Sequence, residues 1–185
     1  MLQLLLGIVL FIGIHSVSIV AAPLRDRMAA RSDLGWKAFY TVVSLVGIVL
    51  IAKGYAELRQ APTLLYATPA WLRQVAELLM LPVFAFLIAP YFPGRISKTL
   101  KHPQLVAVKT WAVAHLLVNG MLADVLLFGS FLAWAVANRI SMKHRAARPL
   151  HAAPESRYND VIVVVLGLSL YAAVVLMFHE MLIGV

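Results

Sequence analysis

The chain has 185 residues, 62% of them hydrophobic and 13% charged, with a mean hydropathy of +0.87. Soluble domains run at about 45–50% apolar and about 25% charged, so the composition excludes a water-soluble enzyme or a free DNA-binding domain and indicates an integral membrane protein. The formal charge of +8 comes from 16 basic and 8 acidic side chains. The basic residues fall in short clusters between apolar runs, a distribution that suits lipid headgroups and not nucleic acid.

Cysteine is absent, which removes disulfides, thiolate catalysis, cysteine-ligated iron–sulfur clusters and covalent haem attachment. Any haem would be held non-covalently, by ligands such as His or Met. The length suits about one domain.

Residues 1–24 carry no side-chain charge. No Lys or Arg precedes the apolar stretch, as it would in a signal peptide, so the expectation is a retained transmembrane helix at about 1–22. The second run, 38–52, is bracketed by Lys37 and Lys53, which can snorkel, with Trp36 and Tyr55 suited to the two interfaces. It predicts a span at about 36–54. The third span, about 72–92, is closed by Pro93-Gly94 and kinked at Pro82.

Residues 110–138 are apolar apart from Asp124. One helix of that length would reach about 44 Å, too long to cross untilted. Asn119-Gly120 is a turn dipeptide and splits the stretch into spans at about 103–119 and 121–139. The split sets Asp124 in the first turn of the later helix, where the macrodipole favours a carboxylate. The last span is about 160–185. No internal repeat is visible.

The fold expected is therefore all-α: a polytopic membrane bundle of six helices, forming one domain over 1–185, with both termini on the outer, periplasmic side. Six spans place 13 of the 16 Lys and Arg side chains inside, whereas five spans would divide them 8 and 8. The positive-inside rule favours six.

Ionisable groups inside a bilayer are costly and point to function. His15, His115 and His179 fall within expected spans, while His102, His144 and His151 fall in inner loops. Trp111, His115 and Asn119 are spaced i, i+4, a polar and aromatic stripe that faces other helices. Two uses of such histidines are open. Neutral imidazoles from two helices can ligate a haem iron axially, with arginines at the inner boundary such as Arg25 pairing with propionates. Alternatively, His15, His115 and His179 can form a zinc or copper site. At 1.5 Å per residue, His15 lies about 10 Å and His115 about 18 Å from the inner boundary, with His179 near the outer one. Arg73 and Glu77, also i, i+4, are expected to form a salt bridge. No Gly-rich phosphate loop and no Ser-His-Asp arrangement is present, and His179-Glu180 does not open a zincin motif.

The block His102-Pro103, Trp111-Ala112, His115-Leu116-Leu117, Asn119-Gly120 and Leu126-Leu127-Phe128-Gly129, leading to Phe131-Leu132-Ala133-Trp134-Ala135, resembles the NnrU family. Gly13-x-His15, the opening Leu34-Gly35-Trp36-Lys37 with Tyr40 and Ser44-Leu45, and His179 with Gly184 extend the resemblance over essentially the whole chain. It departs at Met121, which stands where relatives often carry an acid; Asp124 follows three positions later, which weakens any role for that acid. Lys37 stands where Arg is common.

The resemblance implies a multi-pass bacterial inner-membrane protein that supports nitrite and nitric oxide reduction in denitrification. Its plant and cyanobacterial relative, 15-cis-ζ-carotene isomerase, is similar in the membrane domain and binds haem b between histidines. By motif position His15 and His115 are the implied axial ligands of a haem b, with His179 in reserve and Arg25, Trp111 and Asn119 as further cofactor-binding residues. The leading reading is a haem-binding protein of nitrogen-oxide respiration, its partners being the bilayer, denitrification enzymes and a hydrophobic small molecule such as a carotenoid or quinone. The rivals are a haem-dependent cis-trans isomerase of ζ-carotene or a related polyene, and a non-enzymatic membrane assembly or regulatory factor whose histidines only join helices.

Overall fold

The computed structural model describes residues 1–145 and 150–178. His179, the reserve ligand, lies outside them, as do Arg148, Glu180 and Gly184. Among the described residues the chain is all-helical, and the only extended pairing is an isolated bridge between Leu64 and Met121. Five helical segments are long and apolar enough to cross a membrane: Leu2–Val20, Asp33–Gln60, Leu72–Tyr91, Leu122–Ser141 and Asn159–Met177. A sixth apolar helix, Pro103–Val118, has 16 residues and so reaches about 24 Å, short of the roughly 30 Å hydrocarbon core.

The described residues fall into two compact units, Met1–Ala67 with Gly120–Ser141, and Thr68–Asn119 with Met142–Val185.

In the first unit, α1 (Leu2–Val20) is followed by α2 (Ala22–Arg31) and α3 (Asp33–Gln60). The sequence offered no span in the second of these, and it is not one. It is a short polar helix with Pro23 in its first turn, where the missing N–H costs nothing. Ser32 ends it and caps the next helix, its Oγ accepting from the Gly35 N–H at 3.0 Å. Asp33 in the first turn pairs with Lys37 at 2.6 Å.

The register between α1 and α3 is antiparallel. The terminal ammonium of Met1 lies 3.7 Å from the Glu57 carboxylate, Leu4 packs on Gly54, Gly7 on Ile51, Phe11 on Gly47, and the His15 ring meets Tyr40. Gly7 is what allows the approach: a Cβ there would stand 2.6 Å from the backbone nitrogen of Ile51. In a lipid environment, small residues of this kind let helices gain van der Waals contact that the solvent does not force on them.

Helix α8 (Leu122–Ser141) completes the unit. Phe11 meets Phe131 and His15 meets Trp134, so this helix runs parallel to α1. Its entry is latched to the segment that follows α3: the N–H groups of Leu65 and Tyr66 donate to the Gly120 carbonyl at 2.8 and 3.2 Å, and that of Leu122 to Thr63 at 2.8 Å.

In the second unit the third expected span is broken at Pro82 into α4 (Leu72–Met80) and α5 (Val83–Ile88), ending in a 3-10 turn, Ala89–Tyr91. Proline removes a donor and crowds the preceding carbonyls, which accounts for the break. The Arg73–Glu77 pair forms at 3.1 Å on the exposed face of α4. A short helix, α6 (Arg95–Leu100), follows, then α7 (Pro103–Val118), which ends at Asn119. The Gln104 amide at the start of α7 reaches toward Leu87 and Tyr91, while Thr68 reaches Val118, so α7 runs antiparallel to the segment before it.

Helix α9 (Asn159–Ala173) continues as a π-helical turn, Val174–Phe178. It packs antiparallel on α5, Asp160 near Arg95 and Gly167 against Ala85, with a core of Ala85, Ala89 and Val163.

Candidate functional site

His15 stands in α1 among aromatic side chains from all three long helices of the first unit. Its ring stacks on Phe11, one turn earlier, with centroids 4.1 Å apart and planes inclined by 27°. Tyr40 lies 4.9 Å away from α3, and Trp134 presents from α8 at 5.9 Å, perpendicular to the imidazole. Phe131 backs Phe11, and the buried Trp36 backs Tyr40. Trp36 is thus a packing residue at the foot of α3, where the sequence suggested a headgroup-facing one. The indole Nε1 of Trp134 is buried without a hydrogen-bond partner among the described residues.

The imidazole is oriented. His15 Nδ1 lies 2.7 Å from the Phe11 carbonyl oxygen, and a carbonyl only accepts, so in the neutral ring Nδ1 carries the hydrogen and Nε2 the lone pair. A backbone carbonyl on one ring nitrogen is the usual way in which a ligating histidine is fixed.

The predicted stripe in the second unit also forms. His115 Nδ1 is 2.9 Å from the Trp111 carbonyl oxygen, the two rings are 5.3 Å apart, and the Asn119 amide donates to the His115 carbonyl at 3.0 Å. The same tautomer follows for His115. Arg25 lies on α2, and its guanidinium is 3.1 Å from the Asp26 carboxylate.

A second polar centre of the first unit joins Asp124, in the first turn of α8 as expected, to Tyr55, a pairing the sequence did not indicate. Asp124 is 2% exposed. Its carboxylate accepts the Tyr55 hydroxyl at 2.5 Å and the Met121 N–H at 2.9 Å. The acid therefore reaches back over the three positions that separate it from Asn119-Gly120 and closes the first turn of α8, so its displacement from the usual place in the motif does not leave it idle. Tyr55, expected at a lipid interface, spends its hydroxyl on this carboxylate. Tyr66, in the connecting segment, titrates above its ordinary range, through burial first and the Asp124 charge second.

The sequence motifs contained Tyr40 and Trp134 but gave no sign that they surround His15. The i, i+4 spacing of Phe11 and His15 was the one local signal available. Among the described residues no group of three metal-ligating side chains converges, and the zinc or copper trio would need His179, which lies outside them. A haem asks for less: one or two oriented imidazoles and apolar walls. The His15 surroundings fit that requirement.

An all-helical chain whose helices are long and apolar enough to cross a bilayer several times, with aromatic and ionisable side chains held between them, is a multi-pass membrane protein. Residues 3–185 match the family model described as NnrU protein, and the chain belongs to the NnrU family. Comparison with curated proteins and with solved structures gave no match.

Proposed function

We propose that this NnrU-family chain is a six-span protein of the bacterial inner membrane that binds haem b and supports the reduction of nitrite and nitric oxide. The observation that carries the proposal is His15: a bundle imidazole fixed by the Phe11 carbonyl, with its lone pair on Nε2, inside walls formed by Phe11, Tyr40 and Trp134. His15 and His115 are the proposed ligands. Arg25 is the proposed propionate partner, exchanging the Asp26 carboxylate for that of the cofactor. Trp111 and Asn119 hold the His115 turn. When bound, the group supplies one-electron redox chemistry. The chain's part is to orient the imidazoles and to exclude water with aromatic side chains.

The topology is supported by the latch at the top of the first unit. Residues 63–66 pair with 120–122, so the chain leaves and re-enters this unit at one end. A segment that starts and finishes on one side of a bilayer crosses it an even number of times, and 68–119 holds two antiparallel helical runs, Leu72–Tyr91 and Pro103–Val118. Both features support the reading of six crossings, which would set the basic residues predominantly inside.

The test is an absorption spectrum of the detergent-purified protein, oxidised and then reduced. A b-type haem spectrum lost in His15→Ala or His115→Ala is the expected result. Colourless protein that still sustains nitrogen-oxide reduction in the membrane overturns the cofactor, and retention of that phenotype with His15, His115 and His179 all replaced by Gln would leave a cofactor-free assembly factor.

A further inference from the structure

The second unit contains an open groove of about 420 Å³ at the junction between the end of the Leu72–Tyr91 span and the start of α9. Its rim carries Arg95, Lys98 and Arg157, and its acidic side chains are Glu155 and Asp160. The charges do not simply cancel. Asp160 is committed to backbone, accepting from the N–H groups of Arg95 and Ile96 at 2.9 and 3.0 Å. Glu155 is paired with Lys98 at 2.9 Å. Arg95 and Arg157 are both exposed; three cations against two carboxylates leave the rim with a net charge of +1, and the Arg157 guanidinium stacks over the Tyr158 ring at 4.7 Å and donates to its hydroxyl at 2.6 Å. Guanidinium groups match phosphate geometry and lose less hydration than an ammonium on doing so.

The junction is cross-linked by side-chain and backbone hydrogen bonds. The Asn159 amide donates to the carbonyls of Pro93 and Pro154 at 2.8 and 3.0 Å, and the Ala153 N–H to Tyr91 at 2.9 Å. Directly beyond the groove, α9 exposes Val161, Val164, Val165 and Leu168. A cationic pocket that opens at a span boundary onto an exposed aliphatic helix face is complementary to one molecule with an anionic head and apolar tails.

We propose that this groove is a binding site for an anionic phospholipid, whose phosphodiester lies between Arg95 and Arg157 and whose acyl chains follow the exposed face of α9. The site is independent of any cofactor. A free phosphate would use only the guanidinium pair, and the adjoining aliphatic face is the reason for assigning a lipid.

The experiment is native mass spectrometry of the full chain purified from bilayers containing equal phosphatidylglycerol and phosphatidylcholine. Wild type should retain phosphatidylglycerol preferentially, and R95Q/R157Q should lose that preference by about tenfold or more. Arg73→Gln, at the other end of the same span, should keep it, and R95K/R157K should retain most of it. Equal retention of the two lipids by wild type, or an unchanged preference in a monodisperse R95Q/R157Q protein, overturns the site. Displacement of the lipid by millimolar glycerol phosphate would show that the headgroup alone suffices, and would overturn the assignment to a lipid.

Discussion

Tyr55 and Asp124, 69 residues apart in sequence, are joined by a hydrogen bond of 2.5 Å that fixes the end of α3 to the beginning of α8. The carboxylate is 2% exposed, and a buried acceptor that loses its donor bears the desolvation penalty. Tyr55→Phe should therefore destabilise the protein by about 1–3 kcal/mol, read as a lowered midpoint of thermal unfolding in detergent. Asp124→Asn keeps an acceptor for Met121 and removes the charge. The double variant should lose less than the two single losses combined, because both remove one interaction. Additive losses would mean that the two side chains do not act as a pair.

That pair also marks the limit of what the sequence discloses. The break at Asn119-Gly120, the break at Pro82, the Arg73–Glu77 pair and the stripe of Trp111, His115 and Asn119 all follow from rules that operate within one helical turn or one dipeptide. Each is present in the structure. The helices α2 and α6 were illegible because neither carries an apolar run: the first is interrupted by Arg25, Asp26, Arg27 and Arg31, and the second has six residues. The aromatic surroundings of His15 were illegible for a different reason. Phe11, Tyr40 and Trp134 come from three helices, and periodicity gives the face of a helix without naming the helix it meets.

Close approach of α1 and α3 at Gly7 gives a second prediction. A Cβ at Gly7 would lie 2.6 Å from Ile51 N, whereas one at Gly13 would meet nothing within 4 Å. Gly7→Val should cost about 1–3 kcal/mol or prevent assembly, while Gly13→Ala should stabilise by about 0.5–1 kcal/mol through reduced backbone entropy. Thermal unfolding and monodispersity in detergent measure both. Equal behaviour of the two variants would contradict the register.

Surface charge should matter far less. Arg73 and Glu77 are paired at 3.1 Å with side chains 81% and 57% exposed. Water and salt screen such a pair, so Glu77→Gln should shift stability by less than about 1 kcal/mol. A shift as large as that of Tyr55→Phe would mean that the pair is covered in the folded protein.

The absence of native cysteine makes the topology open to single-cysteine labelling with a membrane-impermeant maleimide. Six spans with both termini outside put Thr63→Cys on the outer face, and Ala30→Cys, Thr99→Cys and Ala152→Cys on the inner one. Ala152 discriminates: if residues 103–141 crossed once instead of twice, the segment that holds it would lie outside with Thr63. The parallel course of α1 and α8, carried by Phe11 with Phe131 and His15 with Trp134, is what two crossings over 103–141 would give, and it supports the proposed six spans. Labelling of intact spheroplasts at Thr63→Cys alone, and of all four variants after permeabilisation, is the expected pattern; labelling of Ala152→Cys in intact spheroplasts would leave five crossings and remove the charge bias.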